Sequence, residues 1–412
     1  MNNLPIELLQ HIVFYLAPVK PYSTTTAISN DSQNYIDILN TRLATQALAA
    51  AASQPFVDII STHPWKLNTS SLNRLANLLL NVHVAKHTNH LTINTYRFSF
   101  DRDYTIETEG VLEDHVAART HYVEKSSTSQ LVKVFRRARN LRHLTIVPTV
   151  QQGDPDFLHK HVPPPNPAAL NHEQSSIARS VEQELVTSRI PDPLEKLVEA
   201  LRITRVHEHL ESFSMLSAAR QSQFEVSSHQ LGIRLGYPVL KRLTVETDYL
   251  LNITFPFPCP RLEILELVGI ERAGVQDFTR LQEGGENASG MQRIVELLST
   301  VLCVTVIGTA DGESIVEVNV RILVRLVGLL ARCISRLDIL VFRRLHLTDN
   351  GDDHVEQDNM SGGKVLQIGT LRLESVIQTQ FAQAQSVACG LAVILTSRVP
   401  CHIGELVVDG AA

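Results

Sequence analysis

Histidines at short spacings are the residues of this sequence best suited to chemistry. His83, His87 and His90 lie at i, i+4 and i+7, which on one continuous helix would bring three imidazoles together, and zinc binds such clusters. Val84 follows His83, however, so the H-E-x-x-H pattern of metalloproteases is absent. The helix predicted here also ends near Ala85. A polar helix end that leads into a strand is therefore a better interpretation than a metal site.

Two further histidine pairs have the spacing i, i+2. These are His159 with His161 and His207 with His209. On a strand such a pair would share one face of the sheet. Neither pair has a third ligand of suitable type nearby in the sequence, so we interpret these histidines as solvated loop or surface residues.

No other pattern indicates catalysis or a bound cofactor. The segment Asp349–Gly363 is rich in Asp and Gly, but its carboxylates do not follow the alternating order of a calcium-binding loop. The sequence contains no G-x-S-x-G, no P-loop and no G-x-G-x-x-G motif. We therefore predict a protein that is not an enzyme and that has no metal or cofactor. Scattered Asp and His residues could still assemble a site in three dimensions.

The composition narrows the class of protein. The chain has 412 residues, of which 44% are hydrophobic and 19% are charged, enough apolar material for a large core. A net charge of −6 gives no basic footprint for nucleic acid. No apolar stretch is long enough to predict a membrane span, and no secretory signal is evident. Five dispersed cysteines fit reduced thiols, so a cytoplasmic or nuclear protein is expected.

Seven segments share the order leucine, two residues, leucine, one residue, aliphatic. They are His90–Phe100, Asn140–Val147, Leu240–Glu246, Arg261–Val268, Ser335–Val341, Leu366–Leu373 and His402–Val408. This order is typical of the strand half of a leucine-rich repeat, in which parallel strands alternate with covering helices. The spacing of the segments is irregular, so a generic α/β domain remains the alternative. Both interpretations predict a parallel or mixed sheet with helices alongside.

The intervening sequence predicts helices and loops. Helical spacing of apolar residues is seen in Tyr35–Ala52, Ser70–Val84 and Gln130–Ala138. The apolar run Phe56–Ile60 is interpreted as a short strand. The proline-rich segment Gln151–Ala168 predicts a loop, as does the acidic segment Asp349–Gly363. The strand-led segments are expected to form one continuous array on both sides of the proline-rich loop.

The first residues predict a short amphipathic helix. Pro5 suits a helix start, because its missing N–H would have no partner there, and Pro18 ends the helix soon after Leu16. One side of this helix carries Leu4, Pro5, Leu8, Leu9, Ile12 and Leu16. Such a helix either packs on its own domain or presents its apolar side to a partner.

The order of these residues, L-P-x-E-L-L-x-x-I-x-x-Y-L, resembles the opening helix of the F-box. The matching residues are Leu4, Pro5, Glu7, Leu8, Leu9, Ile12, Tyr15 and Leu16. The F-box is the small helical module that binds the Skp-family adaptor of cullin ubiquitin ligases. The resemblance implies that Leu4, Pro5, Leu8, Leu9, Ile12 and Leu16 bind this adaptor.

A second resemblance covers the segment from Ser70 to Phe98. It is similar to the segment that follows the F-box in many fungal F-box proteins, where a helix turns into the first repeat strand. Together the resemblances imply an α/β protein: F-box-like helices in residues 1–60, then an irregular leucine-rich-repeat-like array of parallel strands and helices in 61–412.

The implied function is that of a substrate-recognition adaptor in a Skp–cullin–F-box ubiquitin ligase. The N-terminal helices would bind the Skp-family subunit of the cullin complex, and the body would bind a protein substrate that the sequence does not identify. No nucleic acid and no membrane are expected as partners. The alternative is a repeat-type interaction scaffold outside any ubiquitin ligase, whose first helix caps the array.

Overall fold

The computed structural model describes the regular parts of the chain. Described residues are 5–16, 38, 40–41, 45–67, 69–94, 128–147, 193–215, 235–247, 259–270, 294–308, 315–348, 365–378 and 384–409. The predicted loops Gln151–Ala168 and Asp349–Gly363, the pair His159 and His161, and the end of the segment His90–Phe100 lie outside these residues.

The described chain contains both helices and strands, interspersed along the sequence. The helices are α1 (Ile6–Leu16), α2 (Gln46–Ala51), α3 (Ser53–Thr62), α4 (Thr69–Leu78), α5 (Val82–His87), α6 (Thr128–Arg137), α7 (Pro193–Thr204), α8 (Val320–Cys333) and α9 (Ala384–Arg398). The strands are β1 (Pro64–Lys66), β2 (His90–Asn94), β3 (His143–Val147), β4 (Ser212–Met215), β5 (Arg242–Glu246), β6 (Ile264–Val268), β7 (Cys303–Ile307), β8 (Val316–Asn319), β9 (Arg336–Arg343), β10 (Leu345–Thr348), β11 (Leu366–Glu374), β12 (Ile377–Gln378) and β13 (Cys401–Asp409).

Ten strands form one parallel sheet in the order β1-β2-β3-β4-β5-β6-β7-β9-β11-β13. The expected α/β class with a large parallel sheet is confirmed. Each of the seven leucine-led segments contributes a strand to this sheet. Strand β3 pairs directly with β4, although the proline-rich segment lies between them in sequence, so the sheet is continuous across it.

The leucine-led residues face a core that the helices cover. Register partners Leu91, Leu144, Phe213 and Leu243 are at most 3% exposed. They belong to one hydrophobic cluster with apolar residues of the helices, such as Phe135. Helices α4, α6 and α7 pack side by side, as do α8 and α9. Of every two successive residues along a strand, one therefore directs its side chain into this core and the other directs its side chain to the opposite face of the sheet.

The last strands contain an extra residue that the leucine pattern does not reveal. The leucine-led order predicts that the central residues of the seven segments are Leu91, Leu144, Leu243, Leu265, Leu337, Leu371 and Leu406. In the structure, Leu340 and not Leu337 pairs with Leu371 of β11. The ladder skips one residue on each of three strands, Asp338, Gly369 and Gly404. A Cβ atom on Gly369 would lie 2.7 Å from the main-chain oxygen of Asp338. This place in the strand therefore requires glycine, as at many strand irregularities.

A second parallel sheet of three strands, in the order β12-β10-β8, lies beyond the last part of the large one. Strands β9 and β11 are each followed by one residue in the left-handed region, Arg344 with φ 57° and Ser375 with φ 54°. Main-chain N–H groups of both residues donate to the next strand of the large sheet, to Glu374 and Asp409. The same local geometry thus recurs in consecutive strand–turn–strand units.

Three of the predicted elements differ from the structure. The helix expected over Ser70–Val84 is divided into α4 and α5, with a turn at residues 79–81. Phe56–Ile60 lies in helix α3, where Phe56, Val57 and Ile60 share one face and enter the main core, so the prediction of a strand is wrong. The helix expected over Tyr35–Ala52 is interrupted at Thr45, which has extended backbone and accepts a hydrogen bond from the N–H of Leu48 at 3.2 Å. Thr45 therefore caps a new helix, α2, within the range of the predicted one.

Candidate partner-binding surfaces

Helix α1 exposes part of its apolar side. It begins directly after Pro5, whose carbonyl accepts a hydrogen bond from the N–H of Leu9 at 3.2 Å. The side chains of Leu8 and Ile12 are 50% and 48% exposed. They lie four residues apart and therefore share one helix face. Two large aliphatic side chains beside each other on the surface are suited to contact with a partner.

The neighbouring side of α1 holds the helix in place. Leu9 is 2% exposed and Val13 is fully buried, and both pack against Ala51 and Ala52 in a small cluster separate from the main core. Small alanines allow α1 to approach α2 closely. Among the described residues, Leu9 and Val13 are the large side chains that this cluster buries.

The sequence-predicted binding residues are therefore divided between two roles. Pro5, Leu8 and Ile12 are exposed, whereas Leu9 faces the intrachain cluster and positions α1. Leu4 and the side chain of Leu16 lie outside the described residues. The sequence places both sets of residues on one side of the helix, because it does not show where α2 packs.

The face of the large sheet opposite the leucine side chains carries a row of hydroxyl groups, which we call the hydroxyl row. Successive register partners in this row are Thr92, Thr145, Ser214, Thr244, Glu266 and Thr305. All of these residues except Thr145 are buried. Hydroxyl groups both donate and accept hydrogen bonds, so this row is a polar strip that crosses six neighbouring strands.

Glu266 interrupts the hydroxyl row and is held by two donors. Its Oε1 accepts a hydrogen bond from Nη2 of Arg242 at 2.6 Å, and its Oε2 accepts one from the hydroxyl of Thr244 at 2.7 Å. The side chain of Glu266 is 10% exposed and that of Arg242 is 51% exposed. A carboxylate that is already bound to a guanidinium and a hydroxyl is a fixed acceptor, not a free general base.

We expect the substitution Arg242→Met to lower the free energy of unfolding by about 1–2 kcal/mol. Removing one partner leaves a buried carboxylate without its counter-ion, and the effect is reduced because Arg242 is half exposed. Urea unfolding should show that Arg242→Met combined with Glu266→Leu recovers most of this loss. Arg336→Met, which removes a surface ion pair with Asp338, is the matched control and should cost less than about 0.5 kcal/mol. Equal losses in the two single variants would contradict this account.

Near the end of the hydroxyl row formed by β2 and β3, two histidines lie side by side on these strands. Nε2 of His90 is 3.0 Å from the hydroxyl of Thr145, and the ring of His90 is 6.5 Å from that of His143. Burial, with a smaller effect of His143, lowers the pKa of His90 to about 4. Burial also lowers the pKa of His143. The His90 imidazole is therefore neutral at physiological pH and serves as a hydrogen-bonding group of the sheet face.

Among the other histidines identified from the sequence, the described ones do not converge; the side chain of His83 lies outside the described residues, as do His159 and His161. His87 at the end of α5 is exposed while His90 is buried, and within the described residues no group of three or more His, Cys, Asp or Glu could hold a metal ion. His207 is buried and its Nδ1 lies 3.0 Å from the carbonyl oxygen of Leu201, so the prediction of an exposed residue is wrong there. His209 is exposed as predicted.

The described cysteine thiols are poor nucleophiles. Burial raises the pKa of Cys259 and of Cys333 to about 12. It also raises the pKa of Cys303 and of Cys401. Thiols with such pKa values stay protonated at neutral pH, and the thiolate is the reactive form.

Sequence analysis missed the hydroxyl row, although a signal for it is present. Threonine or serine stands between two apolar residues in L-T-I at 91–93, L-T-I at 144–146, F-S-M at 213–215, L-T-V at 243–245 and V-T-V at 304–306. The leucines indicate the strands, but only the register shows that these hydroxyls lie at one level of the sheet. The strands β4 and β7 that complete the row lack the leucine-led order.

Comparison with known proteins adds no assignment to this geometry. No protein-family model and no curated protein matches this chain. No helix among the described residues is both long and apolar enough to cross a membrane.

Proposed function

We propose that this chain is a substrate-recognition adaptor of a Skp–cullin–F-box ubiquitin ligase. Residues 1–60 form its F-box-like part and bind the Skp-family subunit. Residues 61–412 form an irregular leucine-rich-repeat-like body that binds a protein substrate. Such an adaptor acts without chemistry of its own, in the cytoplasm or nucleus, by holding a substrate near the ubiquitin carrier.

The observation that carries this proposal is the way in which α1 is displayed. The F-box-like order of residues 4–16 coincides with a helix whose Leu8 and Ile12 are half exposed and whose neighbouring side packs through Leu9 and Val13. A helix that is anchored on one side and apolar on the next is a suitable surface for a helical partner.

The alternative, an interaction scaffold outside any ubiquitin ligase, predicts that α1 is the cap of the array. A capping helix would bury its apolar side against the first strands and join the main core. Among the described residues, the cluster formed by Leu9, Val13, Ala51 and Ala52 is instead separate from that core. This separation favours a partner-binding role for α1 over a capping role.

The proposal is tested by mixing the purified chain with a purified Skp-family subunit and analysing the mixture by size-exclusion chromatography. We expect the two proteins to elute together. The control is a chain that lacks residues 1–17, which removes α1 but keeps Phe56, Val57 and Ile60 of the main core. It should remain folded and elute apart from the Skp subunit. Separate elution of the full-length chain would overturn the proposal and leave the scaffold function.

A further inference from the structure

Strand β13 forms one edge of the large sheet and has an unusual length for an edge. It has nine residues, whereas β1 at the opposite edge has three. Its paired side faces β11, and no described residue pairs with its other side. The carbonyl of Asp409 accepts from the N–H of Ser375, on the side of β11. Because successive strand residues alternate between the two sides, Leu406 and Val408 direct their main-chain groups to the free edge.

The apolar face of β13 is incompletely covered. Ile403, Leu406 and Val408 are only partly buried. Their register partners in β11 are at most 2% exposed; these are Ile368, Leu371 and Leu373. The row of core residues therefore continues to the edge and remains accessible there. An additional strand with aliphatic side chains on this face would extend the same core.

The polar face of β13 carries two carboxylates, Glu405 and Asp409, and β13 itself contributes no Lys or Arg to this face. Glu405 is exposed, and Asp409, with a half-exposed side chain, pairs with Arg372 of β11 at 3.0 Å. No Lys or Arg occurs in the nine residues C-H-I-G-E-L-V-V-D. A second copy of β13 would bring carboxylates against carboxylates, which disfavours a homodimer through this edge. An incoming strand with Lys or Arg beside Glu405 and Asp409 has the complementary charge.

A glycine sets the register at this edge. A Cβ on Gly369 would meet the main-chain oxygen of Asp338 at 2.7 Å, and a Cβ on Gly404 would meet that of Gly369 at 2.8 Å. Each carbonyl at this level thus occupies the place of a Cβ on the next strand outward. If a further strand paired with β13, the carbonyl of Gly404 would occupy the place of a Cβ on the residue opposite it, so that residue would have to be glycine.

We propose that the free edge of β13 binds an extended segment of a partner protein as a further parallel strand. The segment has aliphatic residues on one face, Lys or Arg beside Glu405 and Asp409 on the other, and glycine beside Gly404. Strands β11 and β13 already share this order of aliphatic residues around a glycine: their sequences are L-Q-I-G-T-L-R-L-E and C-H-I-G-E-L-V-V-D. Main-chain hydrogen bonds supply affinity, and the side chains and the glycine supply selectivity. The inference goes beyond the adaptor function and does not depend on it.

The test uses the full chain and a fluorescein-labelled peptide, V-T-I-G-K-L-T-V-K, in an anisotropy titration. We expect Glu405→Lys to weaken binding about fivefold, because a like-charge pair replaces an opposite one across neighbouring strands. A peptide with its first lysine replaced by glutamate should prefer Glu405→Lys over the wild-type chain. Replacing the peptide glycine by valine should weaken binding about tenfold, the equivalent of about 1.4 kcal/mol of steric conflict.

The control variant is Glu208→Lys, which makes the same change of charge at a site on the 3₁₀ helix Val206–Glu208. It should leave peptide affinity unchanged. Hydrogen exchange gives a second readout: the amides of Leu406 and Val408 should be protected when peptide is added. Absence of peptide binding, insensitivity to Glu405→Lys, or unprotected β13 amides would each overturn the proposal. No Skp-family subunit is present in the assay, so failure of the adaptor function would leave this result unaffected.

Discussion

Replacing Leu8 and Ile12 together by glutamate is expected to lower affinity for the Skp-family subunit about 100-fold. Each side chain is half exposed in the free chain, so its complete burial against a partner is worth about 1 kcal/mol. Two carboxylates in an apolar contact add a desolvation cost, and a total of about 3 kcal/mol corresponds to roughly 100-fold in Kd. Isothermal titration calorimetry with the purified Skp subunit measures this loss directly.

A matched control separates this effect from a general effect of charge. Leu80 and Val82 are 61% and 76% exposed at the junction of α4 and α5. The double variant Leu80→Glu/Val82→Glu should therefore bind the Skp subunit like the wild-type chain. Thermal unfolding of both variants should match the wild type, because no buried group is changed. Unaltered affinity of the Leu8→Glu/Ile12→Glu variant would contradict the proposed role of α1, and its global unfolding would identify α1 as an ordinary core helix.

Substituting Gly369 by valine is expected to destabilise the protein by about 2–3 kcal/mol. Valine has high strand propensity, so local sequence preference predicts the opposite sign. In the folded sheet, however, the new Cβ would meet the main-chain oxygen of Asp338 at 2.7 Å, and a main-chain atom between two paired strands has little freedom to move. Overpacking of this kind typically costs about 1–3 kcal/mol.

Urea unfolding measures the effect, and the same strand offers the control. Gln367 lies two residues away on β11 with an exposed side chain, so Gln367→Val should change the free energy of unfolding by less than about 0.5 kcal/mol. Similar values for Gly369→Val and Gln367→Val would mean that the strands can separate locally at this level. The requirement for glycine would then be absent, and the register argument for a partner strand at β13 would lose its basis.

The strands could be predicted where the alternation of apolar core residues is contained within one short segment of the sequence. Seven segments alternate leucine with other residues, and each became a strand of the large sheet, because one face of every strand is buried under helices. A parallel or mixed sheet was predicted because these segments have the order of the strand half of a leucine-rich repeat. Strands β1, β4 and β7 escaped prediction: P-W-K and S-F-S-M lack the leucine order, and C-V-T-V-I is apolar on alternate positions without leucine.

Local preference was misleading where distant contacts decided the outcome. F-V-D-I-I at 56–60 is rich in β-branched residues, yet it forms the middle of α3. Pro55 lies in the first turn, where proline is tolerated, and Phe56, Val57 and Ile60 then meet the core on one side of a helix. The indole N–H of Trp65 donates to the carbonyl of Ile60 at 2.8 Å and connects α3 to β1.

The sequence by itself determined the α/β class, most strands of the parallel sheet and a helix with an apolar side at residues 6–16. These properties depend on residues close together in the chain, through the periods of strand and helix. Only the tertiary structure decided which side of α1 is exposed, that the hydroxyls from Thr92 to Thr305 lie in one row, and that Gly369 and Gly404 meet main-chain oxygens. Each of these depends on packing and register between residues far apart in sequence, which hydrophobic periodicity does not encode.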